Sequence, residues 1–168
     1  MMNPIQYLSF PQELFGMTYY SLLIPPFKPV SMLILGYGNG MIEKLTKMIW
    51  GGDIEVDGVD LVNPEVNGYN DFIQMSADTF VKKNCLRKYD YVVVDLYNGS
   101  KIPEFVFNDE FVLGLSKITR KILGINCTFH DWKNFEMYDK HFIVSAVKQI
   151  NHDKVLLFDA KNYEKEKT

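Results

Sequence analysis

The run Tyr91-Val92-Val93-Val94 limits the fold more strongly than any other segment of this 168-residue chain. Its side chains are aromatic or β-branched, and the run ends at a charged residue, Asp95. Successive side chains of a strand point to opposite faces, so a strand that is apolar at every position must be covered on both faces. Such strands are typical of parallel sheets flanked by helices, and the sequence therefore predicts an α/β fold.

Segments of strand character alternate with segments of helical periodicity along the chain. Short apolar runs predict further strands over residues 31–35, 54–61, 72–75 and 121–128, and a closing pair over 142–147 and 154–160. Apolar residues at helical spacing predict helices over 41–50, 78–83, 104–119 and 132–140, and 64–72 is a weak helix or a loop. Asn151-His152-Asp153 is too short for a crossover, so the closing pair is antiparallel. We expect a doubly wound, mainly parallel seven-stranded sheet with an antiparallel last strand.

The length fits one domain, which we expect to cover residues 1–168. Residues 1–28 are rich in aromatic residues and proline, and they predict a lead-in with a short helix over 11–23. The charged segment 161–168 is expected to fray at the end of the domain.

Composition narrows the class of protein. A net charge of −3 gives no support for nucleic-acid binding through bulk electrostatics. Cys85 and Cys127 are far apart, which indicates two thiols in a reducing compartment rather than a metal site. The chain shows no signal-peptide pattern and no run of about 18 apolar residues. We therefore expect a cytoplasmic protein without a membrane span.

The segment Gly36-Tyr37-Gly38-Asn39-Gly40 stands between a predicted strand and a predicted helix. Glycines allow the backbone to turn sharply and to approach a ligand, and the helix start offers free N–H groups. The dinucleotide-binding pattern requires a third glycine where this chain has Met41, and the phosphate-loop pattern is absent. The spacing thus favours an adenosyl cofactor without a pyrophosphate, the alternative being a tight strand-to-helix turn.

Two aspartates follow strands that end at the same edge of the predicted sheet. Asp60 closes the second strand, where a carboxylate can accept hydrogen bonds from a ribose diol; the alternative is a solvated loop aspartate. Asp95 closes the central strand near the predicted switch point of the sheet. It could orient or deprotonate an amine, bind the amino-acid end of a cofactor, or cap the strand end.

The segment after the third strand, which contains Ser76, Ala77 and Asp78, lies at the edge where an adenine would be held. Asp78 could accept a hydrogen bond from the adenine amino group, or it could cap the helix that follows. The residue type alone does not decide between these two roles.

Taken in order, these segments resemble a class I S-adenosylmethionine-dependent methyltransferase domain with its Rossmann-like fold. They are most similar to the spermidine/spermine synthase branch, over residues 29–161. The motifs that carry the resemblance are Phe80-Val81-Lys82-Lys83, the run from Lys88 to Asp95, Asn108-Asp109-Glu110-Phe111 and Ile125-Asn126.

The resemblance assigns a role to most of these residues. It implies that Gly36, Gly38 and Gly40 wrap the methionyl part of S-adenosylmethionine, with Tyr37 and Asn39 in the same loop. It places Asp60 on the ribose and Leu61 near the adenine, and it identifies Asp95 with the catalytic aspartate of the polyamine synthases. The family's adenine-binding Asp-Ala pair falls on Ser76-Ala77, so its aspartate is either replaced by Ser76 or shifted to Asp78.

Departures from the family pattern define the alternatives. Asn39 and Asn98 stand where the synthases carry carboxylates, and only about 30 residues precede the first strand, in place of the family's β-rich domain. The expected function is an S-adenosylmethionine-binding transferase, specifically a methyltransferase on an unknown small-molecule or macromolecular acceptor. One alternative is an aminopropyltransferase that uses the decarboxylated cofactor and a polyamine. The other is a non-catalytic binding or regulatory module that kept the fold.

Other polar residues give weaker indications. His130 follows the fifth strand and could act as a base, although a surface loop position is the simpler interpretation. The basic clusters at 82–88 and 120–121 are interpreted as solvated faces. No residues show metal-ligand spacing, so no metal site is expected. Neither a nucleic-acid nor a membrane partner is expected, and the resemblance allows a homodimer.

Overall fold

The computed structural model describes residues 18–62, 72–83 and 87–163. Seven strands form one sheet in the order β3-β2-β1-β4-β5-β7-β6. The strands are β1 (Ser31–Leu35), β2 (Glu55–Asp60), β3 (Phe72–Gln74), β4 (Tyr89–Val94), β5 (Thr119–Asn126), β6 (Phe142–Ile150) and β7 (Asp153–Ala160). The helices are α1 (Thr18–Leu22), α2 (Met41–Trp50), α3 (Ala77–Lys83) and α4 (Asp109–Ile118), with 3₁₀ segments at Glu104–Phe107 and Trp132–Lys140.

The strand directions confirm the predicted fold class. β1 pairs in parallel with β2 and β4, β2 with β3, and β4 with β5. β7 is antiparallel to both of its neighbours, β5 and β6. The chain moves outward from β1 to β3 and then returns to β4, so the strand order reverses between β1 and β4. In open α/β sheets, ligands bind outside the carboxyl ends of the strands at this kind of switch point.

The core lies on both faces of the sheet, as the composition of β4 predicted. Every residue of β1 and β4 is buried. Leu33 and Val92 pack on one face, with Phe111 of α4. Ile34 and Val93 pack on the other, in the same cluster as several residues of α1 and α2. Both faces of the central strands are therefore covered.

The predicted helix over 104–119 is two shorter elements. Pro103 leads into the 3₁₀ segment Glu104–Phe107, and Asn108 is extended (φ −82°, ψ 140°) before α4 begins. At the other end, the Thr119 hydroxyl donates to the Leu115 carbonyl at 2.7 Å, and Thr119 already belongs to β5. The fifth strand thus begins two residues earlier than the predicted 121.

The predicted hairpin between the last two strands is confirmed. Asn151 and His152 form a two-residue turn, and Asn151 has a left-handed backbone (φ 57°). Asparagine is one of the few non-glycine residues that tolerates this conformation. The turn places Asp153, the first residue of β7, beside the carboxyl end of β5.

The chain ends were predicted only coarsely. Of the helix predicted over 11–23, the structure describes α1 and the buried residue Leu23, and 11–17 lie outside the described residues. Most of the predicted weak helix or loop over 64–72 also lies outside them, as does 164–168 of the predicted frayed tail. Lys161–Tyr163 form a turn in which the Tyr163 N–H donates to the Ala160 carbonyl at 2.9 Å. Within the described residues, no helix is long and apolar enough to span a membrane.

Candidate functional site

A cleft of about 660 Å³ opens at the carboxyl ends of β1, β2, β4 and β5. It lies at the switch point of the sheet, between the loop after β1 and the loop after β4. Its lining comes from six separate segments: Tyr20, Gly36, Tyr37, Gly38, Asp60, Asp95, Tyr97, Gly99, Ser100, Asn126, Thr128, Phe129 and Asp153. Five of the predicted site residues are in this lining: Gly36, Tyr37, Gly38, Asp60 and Asp95.

The loop of residues 36–40, here called the glycine loop, lies between β2 and β4. All three glycines have positive φ, at 90° for Gly36, 58° for Gly38 and 81° for Gly40. A Cβ on Gly36 would overlap the backbone carbonyl of Asp95, so the close approach of the loop to β4 requires glycine. Gly38 is different, since a Cβ built there meets no heavy atom within 4 Å. Gly38 is exposed and is among the lining residues of the cleft.

Tyr37 contributes mainly to packing. Its ring lies against Gly58 of β2, where a Cβ would overlap the ring. Its hydroxyl donates to Glu43 at 2.9 Å, and Glu43 pairs with Lys47 at 2.8 Å. The Tyr37 side chain is only 4% exposed. The ring therefore holds the loop on β2, and little of the residue is left to line the cleft.

The two remaining loop positions form the start of α2. The Asn39 side-chain oxygen accepts a hydrogen bond from the Met41 N–H at 3.3 Å. Gly40 is the left-handed residue that immediately precedes the helix. Both residues shape the turn, and neither is among the described residues that line the cleft.

Asp60 joins the end of β2 to the glycine loop. One carboxylate oxygen accepts the Gly38 N–H at 2.7 Å, and the other accepts the Val62 N–H at 3.3 Å. A carboxylate offers about four lone-pair sites. Two acceptor sites therefore stay open on a side chain that lines the cleft.

Asp95 is the partly buried carboxylate at the end of β4. Burial raises its pKa from 3.8 to about 6; a hydrogen bond from Asn126 opposes this rise, and the nearby Asp60 carboxylate adds to it. The Asn126 amide N donates to the Asp95 carboxylate at 3.0 Å. Near neutral pH, Asp95 is therefore mostly ionised but can take up a proton at little cost.

Asn126, Thr128 and Tyr97 form a polar network that the sequence did not single out as part of the site. Thr128 donates to the Asn126 side-chain oxygen from its hydroxyl at 2.6 Å and from its N–H at 3.1 Å. These bonds orient the amide so that its NH₂ faces Asp95. The Tyr97 hydroxyl lies 3.2 Å and 3.1 Å from the carbonyls of Asn126 and Thr128. Asn126 closes β5, so the strand-end rule that identified Asp60 and Asp95 also applies to it.

Phe129 and Asp153 are further lining residues that only the tertiary structure brings in, and Tyr20 of α1 also lines the cleft. Phe129 is 73% exposed, has a left-handed backbone (φ 65°), and its ring lies 5.8 Å from that of His152. Burial raises the pKa of Asp153. No signal in the sequence places the β6–β7 turn beside the loop after β5.

The residues predicted on the adenine side follow β2 and β3, at the carboxyl ends of these strands. The Ser76 hydroxyl accepts the Thr79 N–H at 3.2 Å, so Ser76 caps α3. Asp78 pairs with Lys82 at 3.3 Å, Ala77 is buried, and Leu61 is 66% exposed. The capping role considered for Asp78 thus belongs to Ser76. In the part of the chain that the structure describes, none of these residues lines the cleft, and the adjoining segment 63–71 lies outside that part.

His130 supports the loop after β5. Its Nδ1 lies 2.9 Å from the Thr128 carbonyl, and its ring is 6.0 Å from that of Tyr97. This histidine is not among the described lining residues of the cleft. Over residues 18–62, 72–83 and 87–163, no three His, Cys, Asp or Glu side chains are grouped for a metal ion.

Comparison with known proteins gives one similar curated sequence. A polyamine aminopropyltransferase of Vibrio vulnificus (strain CMCP6) is 28% identical over 109 residues, which cover 58% of this chain and 36% of that protein. The match thus involves little more than a third of the relative's length. A scan against models of protein families gives no match.

Solved structures reproduce the sheet and its helices. A spermidine synthase from Thermotoga maritima matches 87% of this chain and 60% of its own, with a TM-score of 0.64 at 15% identity. A ribosomal protein L11 methylase from Lactobacillus delbrueckii subsp. bulgaricus matches 87% of this chain and 79% of its own, with a TM-score of 0.61 at 14% identity. A protein from Pyrococcus horikoshii OT3 matches 94% of this chain and 99% of its own, with a TM-score of 0.64 at 14% identity. The chain therefore has the fold of S-adenosylmethionine-dependent methyltransferases and spermidine synthases, which confirms the resemblance seen in the sequence.

Proposed function

We propose that the cleft binds S-adenosylmethionine and that the protein is a transferase, specifically a methyltransferase. The observation that carries this proposal is the meeting of Gly38, Asp60 and Asp95 around one cleft at the switch point of the sheet. The fold supports an S-adenosylmethionine type of cofactor, because its structural neighbours include methyltransferases and spermidine synthases. The acceptor is not identified.

The residues present fit such a cofactor. A volume of about 660 Å³ is in the range of small-molecule and cofactor sites. The open space beside Gly38 would be filled by a Cβ at that position, so glycine leaves room for a ligand against the backbone. Asp60 retains acceptor sites for a diol, and the cleft carries the carboxylates of Asp60, Asp95 and Asp153, which suit a cationic ligand.

Each predicted residue would then have a defined role. Gly36 and Gly38, with the backbone of Tyr37, would hold the methionyl part, and Asn39 and Gly40 would shape the loop that carries them. Asp60 would accept hydrogen bonds from the ribose hydroxyls. Leu61, Ser76, Ala77 and Asp78 would lie on the adenine side. When bound, S-adenosylmethionine supplies a methyl group on a positively charged sulfur.

Asp95 would act on the acceptor side of the cleft. Its pKa of about 6 leaves a carboxylate at neutral pH that can orient an amine or hydroxyl and accept its proton. Asn126 and Tyr97 would act as positioning residues, because they fix the direction of that carboxylate and of the loop after β5. Methyl transfer depends mainly on alignment, so this arrangement does not require a stronger base.

The loop after β4 favours methyl transfer over aminopropyl transfer. Asn98 and Lys101 close it through backbone hydrogen bonds of 2.7 Å and 3.3 Å, and both side chains are exposed. The resemblance aligns Asn98 with a carboxylate of the polyamine synthases, so an amide stands where a diamine would be held by a negative charge. The aminopropyltransferase alternative is supported by the Vibrio vulnificus protein and by the aspartates of the cleft. A non-catalytic module would bind the cofactor without turnover, or would not bind it.

Calorimetric titration tests the proposal. We expect 1:1 binding of S-adenosylmethionine and of its demethylated product, and binding at least about tenfold weaker in Asp60→Ala, which loses charge-assisted hydrogen bonds. Asp53→Ala is the matched control, because Asp53 pairs with Lys28 at 3.0 Å on the exposed surface outside the cleft. Absence of heat at millimolar cofactor would refute the cofactor assignment. Turnover of putrescine with the decarboxylated cofactor would support the aminopropyltransferase alternative instead.

A further inference from the structure

A second polar cavity, of about 400 Å³, lies at the opposite edge of the sheet from the cleft. It opens where β4, β5 and β6 begin and where β7 ends. Its lining includes Lys88, Arg120, Lys140, His141, Lys161 and Asn162. None of the lining residues that the structure describes is a carboxylate, although the whole chain has a net charge of −3. The cavity is therefore a local concentration of positive charge on an acidic protein.

Arg120 is fixed in the wall of this cavity by a buried carboxylate. Its guanidinium nitrogen lies 2.9 Å from one oxygen of Asp90, which is 2% exposed. The other Asp90 oxygen accepts the Val30 N–H at 2.8 Å. A guanidinium has five N–H donors, so several stay available beyond the one directed at Asp90. Arg120 is thus a pre-positioned donor whose orientation is set from inside the protein.

Three lysines of the cavity form no ion pair in the part of the chain that the structure describes, although the hydrogen bond from His141 and the charge of Lys140 both help to lower the pKa of the Asp109 carboxyl. The Lys161 ammonium donates to the Lys140 backbone carbonyl at 2.6 Å, so these two residues are adjacent. No ion pair to Lys88, Lys140 or Lys161 is found among the described residues, whereas His141 lies 2.8 Å from the exposed Asp109 carboxylate. Like charges gathered in one concave site repel each other, and a bound anion relieves that repulsion.

We propose that this cavity binds a small phosphate-bearing anion, as a second ligand site independent of the cofactor cleft. Lysine ammonium groups and an arginine fork are the donors that proteins use for phosphate, and Asn162 adds a neutral donor. The concave shape favours a free polyphosphate or a nucleoside phosphate over a nucleic-acid strand, which needs a charged strip along the surface. This site goes beyond the proposed transferase function and does not depend on it.

Calorimetry in low salt with tripolyphosphate and with ATP, both without Mg²⁺, tests the site. We expect 1:1 binding that weakens as NaCl is added, because exposed charges are screened. Equal affinities would indicate that the phosphates alone are recognised, and tighter binding of ATP would indicate a nucleoside phosphate; both results support the proposal.

The decisive comparison uses two double variants that remove the same charge. In Lys140→Gln/Lys161→Gln the affinity for tripolyphosphate should fall at least about tenfold, since two charge-assisted hydrogen bonds are lost. In the control Lys44→Gln/Lys133→Gln, which changes two exposed lysines elsewhere, it should change by less than about twofold. Cofactor binding should be unchanged in both, which separates a failure of this site from a failure of the proposed function.

Three results would overturn the proposal. One is the absence of heat at millimolar tripolyphosphate in low salt. Another is equal weakening in the two double variants, which would indicate diffuse surface charge. The third is binding of single-stranded RNA with no response to tripolyphosphate, which would indicate a different class of partner. If the cavity variant fails to fold by circular dichroism, Lys88→Gln replaces it, with the single variant Lys44→Gln as its control.

Discussion

Asp95 shows how one residue can be unfavourable for stability and useful for chemistry. Burial raises its pKa to about 6, so ionising this carboxyl at neutral pH costs free energy in the folded state. Asn126 recovers part of that cost through its hydrogen bond of 3.0 Å. An ionisable side chain whose pKa is shifted by burial is typical of a functional site.

Replacing Asp95 should therefore stabilise the protein at neutral pH. The folded pKa of about 6 is above the ordinary 3.8, so the stability associated with this group is present below about pH 4 and is lost as the pH rises through 6. Asp95→Asn should gain about 2–3 kcal/mol in unfolding free energy at pH 7.5 and nothing at pH 4. Urea unfolding at both pH values measures this, with the exposed Asp139→Asn as control. A variant less stable than the wild type at pH 7.5 would contradict the account.

Replacing Gly38 should reduce cofactor affinity more than it reduces stability. Its left-handed backbone makes alanine cost about 1–2 kcal/mol, but the added methyl group meets only open space. Gly38→Ala should therefore fold and should bind the demethylated cofactor product at least about tenfold more weakly, because it adds a methyl group to a residue that lines the cleft. Gly51→Ala, at φ 111° outside the cleft, should lose stability but keep its affinity. If calorimetry gives Gly38→Ala and the wild type equal affinity for this product, the loop is not part of the cofactor site.

At this scale, the sequence predicted the residues whose position follows from topology. Asp60 and Asp95 line the cleft because both close parallel strands, and Gly36 and Gly38 line it because they follow one. The sequence could not show that the Tyr37 ring packs on Gly58, since this depends on the direction in which a turn presents its side chain. Asp153 and Phe129 were missed because loops distant in sequence bring them to the cleft.

At the scale of elements, the loop after β1 is held on β2 by the contact between Tyr37 and Gly58. A Cβ at position 58 would overlap the Tyr37 ring. Gly58→Ala should cost about 1–3 kcal/mol as an overpacked contact. In a Tyr37→Ala background the same change should cost less than about 1 kcal/mol, since the ring is gone. Additive losses in this double-mutant cycle, measured by urea unfolding, would contradict the proposed contact.

The loop after β4 is connected to the loop after β5 through the Tyr97 hydroxyl. Tyr97→Phe should lose about 1 kcal/mol of stability, lower the transfer rate, and leave the cofactor affinity unchanged. Tyr138→Phe is the matched control, because its hydroxyl bonds the Val106 carbonyl at 2.7 Å within the core. That variant should lose similar stability without a change in rate. Equal rates in the two variants would exclude Tyr97 as a positioning residue.

Elements with a strong local pattern were predicted well. β1 and α2 have the predicted bounds, because a fully apolar run and a clear helical period leave few alternatives. The break at Asn108 was missed, since the apolar spacing continues across it and only the backbone of one residue departs from the helix. The Ser76 cap was not chosen over Asp78 because both residue types favour helix starts.

At the scale of the whole molecule, the comparisons establish the fold but not the reaction. The sheet of this chain matches methyltransferases and a spermidine synthase alike at 12–15% identity, and a fold does not determine a function. A cytoplasmic location and self-association as a homodimer stay predictions. The cleft at the switch point is the feature on which the proposed function depends.

The most direct test of that function is a crystal structure of the protein soaked with the demethylated product of S-adenosylmethionine. We predict ligand density in the cleft, with the ribose hydroxyls on Asp60 and the amino-acid end against Gly36 and Gly38, near Asp95. Density elsewhere on the molecule, or a cleft without ligand at millimolar soaking concentration, would contradict the account.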